Sequence, residues 1–368
     1  MEVALLLDGK PPQPHAGLVK MRFTESLGQM WRAVVWVINP GGKLKPEDWV
    51  GHNLTVKFFN AQGNVAERLD GTVVSFGAVQ EEARGIIYRL QLYPRVWKLQ
   101  ARTRSQIFTK ISVTKVIERL FQQAELTSGR HYSFKISNPN AYPAQEQLVQ
   151  YATSDWEFIY TLMITNGLMC FFHSPNPPAD PEQLVITDDR SFFPHVKPDP
   201  PFAIGAGMPT DKARVVSFFK GAQLVPEKIS LSLSDPSKVH TLYTKTKSLP
   251  SPSEGELQLF MGSGTQGQLE HLAKITSQAL GRLHNWARVA STDPLLRAGR
   301  VFSMNPNPEN VSGSFLVVEA NHYLYQEAEY ALAGQRWDVS YTNELLAVPS
   351  SVDWRLAWAG LWQTEMEV

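Results

Sequence analysis

The chain has 368 residues, of which 43% are hydrophobic and 11% aromatic, a composition that supports packed cores and excludes a disordered protein; the length predicts two to four domains. Lys plus Arg and Asp plus Glu both number 35, so a formal net charge of zero gives no electrostatic reason to expect nucleic-acid or anionic-membrane binding. The apolar run Val3–Leu7 is too short for a signal peptide. No run reaches the roughly 18 apolar residues of a membrane span. We therefore expect a protein that is made in the cytoplasm and has no membrane anchor.

Residues 1–101 are predicted to be rich in β-structure. Trp31–Ile38 is a strand candidate, and apolar residues within Leu54–Phe58 alternate with polar ones, which predicts a strand with one buried face. A longer alternating strand is predicted over Ile86–Leu99, with Pro94 bending or ending part of it. Several short strands separated by turns favour a small barrel.

Residues 102–200 have a mixed pattern and are predicted to form an α/β module. Apolar residues within Val113–Ala124 recur at helical spacing on one face, which predicts a first helix. A second helix is predicted to begin at Ser154, because Ser154 and Glu157 have the spacing of a capping box, and to end at Asn166–Gly167. Two buried strands are predicted next, over Leu168–Phe172 and Leu184–Thr187.

The rest of the chain returns to β-structure, with a second barrel-like region over residues 201–350 and a C-terminal segment over 351–368. Pro194–Thr210 is expected to be a linker and Leu249–Gln266 a loop, because both are rich in residues typical of turns. Apolar residues at helical spacing predict one helix over residues 269–290. Strands are predicted over Arg214–Phe219, Lys228–Leu233, Arg300–Met304, Phe315–Tyr325 and Arg336–Tyr341.

The search for catalytic motifs finds no Gly-rich phosphate loop and no Gly-x-Ser-x-Gly nucleophile elbow. His271 and His284 lie too far apart on one predicted helix to chelate an ion together. The adjacent Asp188 and Asp189 are interpreted as turn formers, and His322 as a packed or hydrogen-bonded side chain. We therefore predict no catalytic residue, no cofactor and no metal site, and no enzymatic activity.

Two residue groups indicate contact surfaces. A basic group interleaved with aromatics is compatible with a nucleic-acid surface, but a strand edge or subunit contact explains it equally well, and the zero net charge favours the latter. Three tryptophans recur every four residues near the C-terminus, a stripe that usually buries against the same chain or a partner. The basic residues are Arg95, Lys98, Arg102, Arg104 and Lys110, and the tryptophans are Trp354, Trp358 and Trp362.

Several motifs, in order along nearly the whole chain, resemble those of the VgrG family of type VI secretion spike proteins and of phage tail hub proteins such as late control protein D. Tyr88–Pro94 is similar to the family's Tyr-Arg-Leu-x-Leu-x-Pro run, and Leu148–Ile159 to its Gln-Tyr-x-Glu-Ser-Asp region. Ala152–Thr153 departs from the usual Arg/Glu pair, which indicates a divergent member. Further similar segments are Arg104–Phe108, Ser112–Ile117, Asn166–Phe172, Ala298–Phe302, Leu316–His322 and Tyr341–Asn343.

The resemblance implies an α+β, multidomain fold, with two small β-barrel-like tube domains flanking an α/β module. It implies a homotrimer whose six β units form a pseudo-six-fold ring between a hexameric tail tube protein and a trimeric spike protein. The tryptophan-bearing segment 351–368 would then dock the spike. VgrG proteins continue into further spike domains beyond this region, so the chain is either a separate hub or the N-terminal hub part of such a protein.

Two other classes remain open from the residues alone. A cell-wall hydrolase of the tail tip would need a paired carboxylate in a cleft or a metal triad. A monomeric carbohydrate-binding module would use exposed Trp and Tyr side chains to stack on sugars.

Overall fold

The structure is a computed structural model, and it describes most of the chain. Within the described residues, strands dominate and three α-helices are present, none of them long and apolar enough to cross a membrane. The described residues are 1–12, 15–41, 43–202, 213–235, 237–238, 241–249, 255–304, 312–326 and 337–357.

The N-terminal region is rich in β-structure, as its alternating sequence predicts, with two short 3-10 helices. The predicted long strand ends at Pro94 and continues as a 3-10 helix, Arg95–Leu99, because proline cannot donate a ladder hydrogen bond. The strands are β1 (Glu2–Leu7), β2 (Gly17–Ser26), β3 (Arg32–Asn39), β4 (Asn53–Phe59), β5 (Val65–Glu82) and β6 (Gly85–Pro94).

The middle region mixes two helices with two small sheets. Its second helix begins with the predicted capping box, since the Ser154 hydroxyl accepts from the Glu157 amide and the Glu157 carboxylate accepts from the Ser154 amide. It ends at Gly167, whose φ of 70° suits glycine. The elements are β7 (Thr103–Ile111), α1 (Val113–Gln123), β8 (Tyr132–Lys135), β9 (Gln145–Ser154), α2 (Asp155–Asn166), β10 (Met169–His173) and β11 (Gln183–Thr187).

The C-terminal region carries a small sheet with one helix and the remaining strands of the large sheet. Only part of the predicted linker and of the last predicted strand lies within the described residues. The elements are β12 (Val215–Ala222), β13 (Lys228–Ser234), β14 (Leu242–Ser248), β15 (Glu256–Ser263), α3 (Gln266–Gly281), β16 (Asn285–Ser291), β17 (Val301–Met304), β18 (Gly313–Tyr325), β19 (Trp337–Asp338) and β20 (Ser340–Pro349).

Two sequence predictions in this region are wrong. The predicted helix over 269–290 ends at Gly281, and residues 285–291 form β16 instead. Ala287 and Val289 are buried on alternate positions, and β16 pairs with both β12 and β20, so sheet pairing overrides the apparent helical spacing. The predicted loop Leu249–Gln266 contains β15, which pairs in parallel with β13, a long-range contact that local turn signals do not reveal.

One twelve-stranded sheet contains strands from both β regions. Its order is β12-β16-β20-β18-β2-β3-β6-β5-β4-β1-β19, with β17 paired to β18, and it curls into a half-barrel. The antiparallel pair β18 and β2 joins the two halves, placing His322 opposite Phe23. The fold is therefore mostly β-structure, and the two predicted β regions share a single sheet.

The α/β module packs against this sheet through one large apolar core. Phe172 of β10 meets Trp31 at 6.3 Å between ring centroids, and Phe108 of β7 stacks on Phe158 of α2 at 6.0 Å. The main core cluster contains residues from the N-terminal strands, the module helices and β18. The module is thus held by the same apolar core that covers the buried face of the large sheet.

Candidate functional site

Buried charged side chains gather where the N-terminal strands, the α/β module and the C-terminal strands meet. Most of them are less than a tenth exposed, which is rare for ionisable groups unless they are paired. We call this cluster the buried ionic junction. It consists of Glu25, Glu67, Arg68, Asp70, Glu182, Arg297, Arg300 and His322.

Arg297 is the centre of the junction and is 2% exposed. Its guanidinium donates to Glu25 Oε2 at 2.8 Å and lies 2.7 Å from Glu182 Oε1 and 3.6 Å from Glu67 Oε1. The Cζ atom of its guanidinium lies 5.0 Å from the centroid of the Phe23 ring, which is a cation–π contact. One side chain from the C-terminal half therefore contacts two N-terminal strands and the module.

The remaining acids of the junction have their own partners. Arg300 donates to Glu67 Oε2 at 2.8 Å. The Arg68 guanidinium donates two hydrogen bonds of 2.6 Å to the Asp70 carboxylate. Asp70 also accepts a hydrogen bond from the backbone amide of Glu182 at 3.0 Å. Because charge-assisted bonds are strong in a dry interior, these pairs offset much of the cost of burying the charges.

Buried polar groups lie on both sides of the His322 ring. Asn343 Nδ2 donates to the Tyr341 hydroxyl at 3.1 Å, and that hydroxyl lies 2.6 Å from His322 Nδ1. On the other side, His322 Nε2 lies 3.2 Å from Glu25 Oε1. Both ring nitrogens of His322 therefore lie within hydrogen-bonding distance of a buried polar partner.

Electrostatics at this site follow from burial and from Arg297. Burial alone would raise the pKa of Glu25, but the Arg297 charge and the His322 hydrogen bond outweigh it and lower the pKa to about 2. Burial lowers the pKa of His322, with the Glu25 hydrogen bond opposing that effect. Burial raises the pKa of Tyr341 well above its usual value. The junction therefore holds charged side chains in the interior of the protein, and most of these side chains are almost inaccessible to solvent.

Local sequence explains how these side chains come to face inward. Met21, Phe23 and Glu25 occupy alternate positions of β2 and are all buried, so the acid lies on the apolar face of its strand. The Asp293 carboxylate accepts from the Leu295 amide at 2.9 Å and shapes the loop that carries Arg297. An acid at an inward position of an alternating strand was the available signal, but sequence reasoning did not single out Glu25.

The predicted tryptophan stripe is only partly within the described residues. Trp354 is 7% exposed, lies in no helix, and packs in the core formed by β10, β17 and β18. The Arg282 guanidinium lies 5.2 Å from the centroid of its ring. Trp358 and Trp362 fall outside the described residues. The role of this segment in binding the spike remains a prediction.

The other residues singled out from sequence have separate structural partners. His271 Nε2 lies 3.3 Å from the Asn166 carbonyl, whereas His284 Nδ1 lies 3.0 Å from the Gln223 carbonyl, so the two do not converge. Asp189 caps a short 3-10 helix, as expected of a turn former. In the part of the chain that the structure describes, no three His, Cys, Asp or Glu side chains are grouped to bind a metal ion.

Part of the basic group is also explained within the chain. The Nε atoms of Arg102 and Arg104 lie 3.2 and 3.1 Å from the two carboxylate oxygens of Asp155, which is fully buried at the start of α2. These pairs anchor the two-stranded ribbon of β7 and β9 to the helix. Two of the five basic residues therefore serve a strand–helix contact.

The outer face of this ribbon carries exposed apolar side chains. Ile107 and Val149 are directly opposite each other across the ladder and are 62% and 49% exposed, and Tyr151 is 77% exposed. Neighbouring side chains on this face, Ser105 and Thr109, are uncharged. Apolar side chains grouped on one face mark a candidate contact surface.

Comparisons with known proteins identify a family. The family model described as phage tail baseplate hub (GPD) matches residues 24–328. A type VI secretion system spike protein, VgrG3 of Vibrio cholerae, is 25% identical over 312 residues, which cover 80% of this chain but only 29% of VgrG3. The chain therefore spans less than a third of the length of that relative.

Structural comparison agrees on the fold. An Escherichia coli component of the type VI secretion system, described as similar to the bacteriophage T4 tail proteins gp27 and gp5, superposes with a TM-score of 0.68 at 16% identity, covering 96% of this chain and 79% of that one. The 43 kDa tail protein of prophage MuSo2 from Shewanella oneidensis gives a TM-score of 0.62 at 13% identity, covering 96% and 99% of the two chains.

Proposed function

The chain belongs to the phage tail baseplate hub (GPD) family, and on that premise we propose that it is a structural hub protein of a contractile injection machine. In this role it joins a hexameric tail tube protein to a trimeric spike protein. It is made in the bacterial cytoplasm and is incorporated into the tail or secretion apparatus. Its function is mechanical and geometric, and it does not depend on a catalytic residue or a cofactor.

The observation that carries this proposal is the single sheet that runs through both β regions. Two strand sets, β1–β6 and β12 with β16–β18 and β20, are joined edge to edge at the β2–β18 pair, and β19 pairs with β1 at the other end of the sheet. In the proposed assembly each set acts as one barrel-like tube domain. Three copies then supply six similar units, which would match a six-fold tube on one side and a three-fold spike on the other.

The buried ionic junction supports such a mechanical role. Within it, the Arg297 guanidinium of the C-terminal half lies 2.8 Å from Glu25 of β2 and 2.7 Å from Glu182 of the module. Apolar cores bind without strict direction, whereas ion pairs fix the angle at which elements meet. A subunit that must hold two tube domains at a set angle gains from that rigidity.

A second candidate is the N-terminal hub part of a longer VgrG-type spike protein. The match to VgrG3 favours it, since the similar region is confined to 29% of that protein. Both candidates use the same ring, and they differ only in whether the spike is a separate polypeptide. Pull-down of a separate spike protein by this chain would favour the first candidate.

The decisive experiment is the oligomeric state of the purified chain, alone and with its tube protein. We expect light scattering to give three times the chain mass, and negative-stain images to show a three-fold ring with a central hole. The subunit contact should bury more than about 2,000 Å² and be largely apolar. A stable monomer under both conditions would overturn the ring and favour a carbohydrate-binding module, and a cleared band on a peptidoglycan zymogram would favour a hydrolase.

A further inference from the structure

We propose that the buried ionic junction holds one proton at neutral pH, on the carboxyl group of Glu182, and that losing this proton at alkaline pH loosens the attachment of the α/β module to the large sheet. The charges of the junction lead to this inference. The proposal does not depend on the oligomeric state of the protein.

The junction contains more acids than bases. Its carboxyl groups number four and its guanidinium groups three, so full ionisation would leave an uncompensated negative charge in the interior. An unpaired buried charge is so costly that the group usually changes its protonation state instead. The carboxyl groups belong to Glu25, Glu67, Asp70 and Glu182, and the guanidinium groups to Arg68, Arg297 and Arg300.

His322 does not supply the missing positive charge. Its Nδ1 is 2.6 Å from the Tyr341 hydroxyl, which in turn receives a hydrogen bond from Asn343. His322 is buried, and this burial lowers its pKa, so the neutral imidazole is favoured near neutral pH. His173, which also faces the arginines from β10, is neutral too, because burial and the charges of Arg300 and Arg297 lower its pKa to about 3.

Three of the four carboxyl groups are well compensated. Glu25 accepts from the Arg297 side chain and from the Ala298 backbone amide at 2.8 Å. Glu67 pairs with Arg300 and accepts from the backbone amide of Arg68 at 3.0 Å. Each of these therefore has a guanidinium and at least one further donor to stabilise its charged form.

Asp70 also has several hydrogen-bond donors around its carboxylate. Both of its oxygens accept from Arg68 at 2.6 Å, and it also accepts from the Thr55 hydroxyl at 2.6 Å and the Glu182 amide. Both carboxylate oxygens of Asp70 therefore have donors of their own. Its negative charge next to Glu182 instead disfavours ionisation of that neighbour.

Glu182 is the least compensated carboxyl group. It shares the Arg297 Nη2 atom with Glu25, at 2.7 and 2.8 Å, and its other donor is the neutral indole of Trp31 at 2.7 Å. Burial raises the pKa of Glu182 to about 8; Arg297 opposes this effect, and the charges of Glu25 and Asp70 reinforce it. Geometry and electrostatics thus place the proton on the same group.

The position of Glu182 explains why loss of its proton would affect the contact between the module and the large sheet. Glu182 directly precedes β11 of the module, Trp31 precedes β3 of the large sheet, and Arg297 lies in the loop before β17. Ionisation of Glu182 therefore puts a fourth negative charge at the point where all three parts meet. Its repulsion acts against Glu25 and Asp70, which lie on β2 and β5 of the large sheet.

The sign of the pH effect follows from linkage. Glu182 keeps its proton up to about pH 8 in the folded chain, whereas in the unfolded chain it loses it near its ordinary pKa of 4.5. The folded state binds more protons between these values, so stability is highest below about pH 4.5 for this group and falls as the pH rises to 8. The ratio of folded to unfolded protein falls by up to about tenfold per pH unit from this group alone.

The test compares the full-length chain with Glu182→Gln, which mimics the protonated carboxyl group. Urea unfolding at a series of pH values from 5 to 9 gives the difference in stability between the two proteins, in which all other titrating groups cancel. We expect the variant to match the native chain near pH 5 and to exceed it increasingly toward pH 8. Glu25→Gln is the matched control and should be strongly destabilised throughout, since Glu25 is charged.

A second measurement addresses the attachment of the module directly. Hydrogen exchange, corrected for the intrinsic pH dependence, should show that β11 loses protection between pH 7 and 9 in the native chain but not in Glu182→Gln. If Glu182→Gln instead destabilises the chain as much as Glu25→Gln, with a difference that does not vary from pH 5 to 9, Glu182 is ionised and the proposal is wrong.

Discussion

The Glu25 carboxylate accepts a 2.8 Å hydrogen bond from the Arg297 guanidinium, although 272 residues separate the two in the chain. This pair joins β2 to the loop before β17 and lies at the centre of the junction. Because both groups are almost completely buried, the pair cannot be broken by removing one partner without leaving a charge in the interior.

Replacing Arg297 should therefore be among the most damaging changes in the chain. Arg297→Met keeps most of the side-chain volume but leaves Glu25 and Glu182 without their shared cation, and we expect a loss of about 3–5 kcal/mol in unfolding free energy. Urea denaturation measures it. Lys115→Met is the control, because the Lys115–Glu118 pair is exposed and should contribute less than about 1 kcal/mol. Equal effects of the two substitutions would contradict a structural role for the junction.

Gly299 should tolerate no side chain, for two separate reasons. Its φ is +83°, and a Cβ atom there would lie 2.6 Å from Phe171 Cβ on β10. Gly262 has a similar φ of +89° but open space around it. We expect Gly262→Ala to cost about 1 kcal/mol from backbone strain, and Gly299→Ala about 1–3 kcal/mol more from overpacking. Thermal unfolding of both variants checks the difference, and equal shifts would show that the module can move away from the loop.

The ribbon face is the surface that we expect a second copy of the chain to cover in the proposed ring. It carries Ile107, Val149 and Tyr151, and the neighbouring Ser105 and Thr109 are uncharged. Ile107→Lys with Val149→Lys should reduce the trimer fraction in light scattering at least tenfold while leaving the circular dichroism unchanged. Val79→Lys, at a 53% exposed site on β5, is the matched control. A trimer that survives the double change would exclude this face.

The C-terminal tryptophans call for separate tests, because Trp354 is buried within its own chain. Trp354→Ala should cost about 3–5 kcal/mol in stability, since it removes a large side chain from a packed core. Trp358→Ala with Trp362→Ala should instead reduce capture of the spike protein in a pull-down. Spike binding retained by that double variant would refute the docking role of the segment.

Helix caps and inward-facing strand residues were predictable because their signals are local. The capping box at Ser154 and the glycine stop at Gly167 require only residues a few positions apart. Leu54, Val56 and Phe58 are buried as their alternation predicts, although Thr55 on the other face is buried as well, where its hydroxyl donates to Asp70. The ordered motifs along the chain likewise indicated the hub family, which the match over residues 24–328 confirms.

Tertiary structure alone decided how those elements join. The parallel pairing of β15 with β13 and the double pairing of β16 depend on strands far away in sequence, so local patterns misassigned both segments. The ionic junction likewise exists only because the fold brings Glu25, Glu182 and Arg297 together. A sequence shows which side chains are charged. Whether a charged side chain contacts water or a side chain of opposite charge is determined by packing, and packing depends on the whole chain.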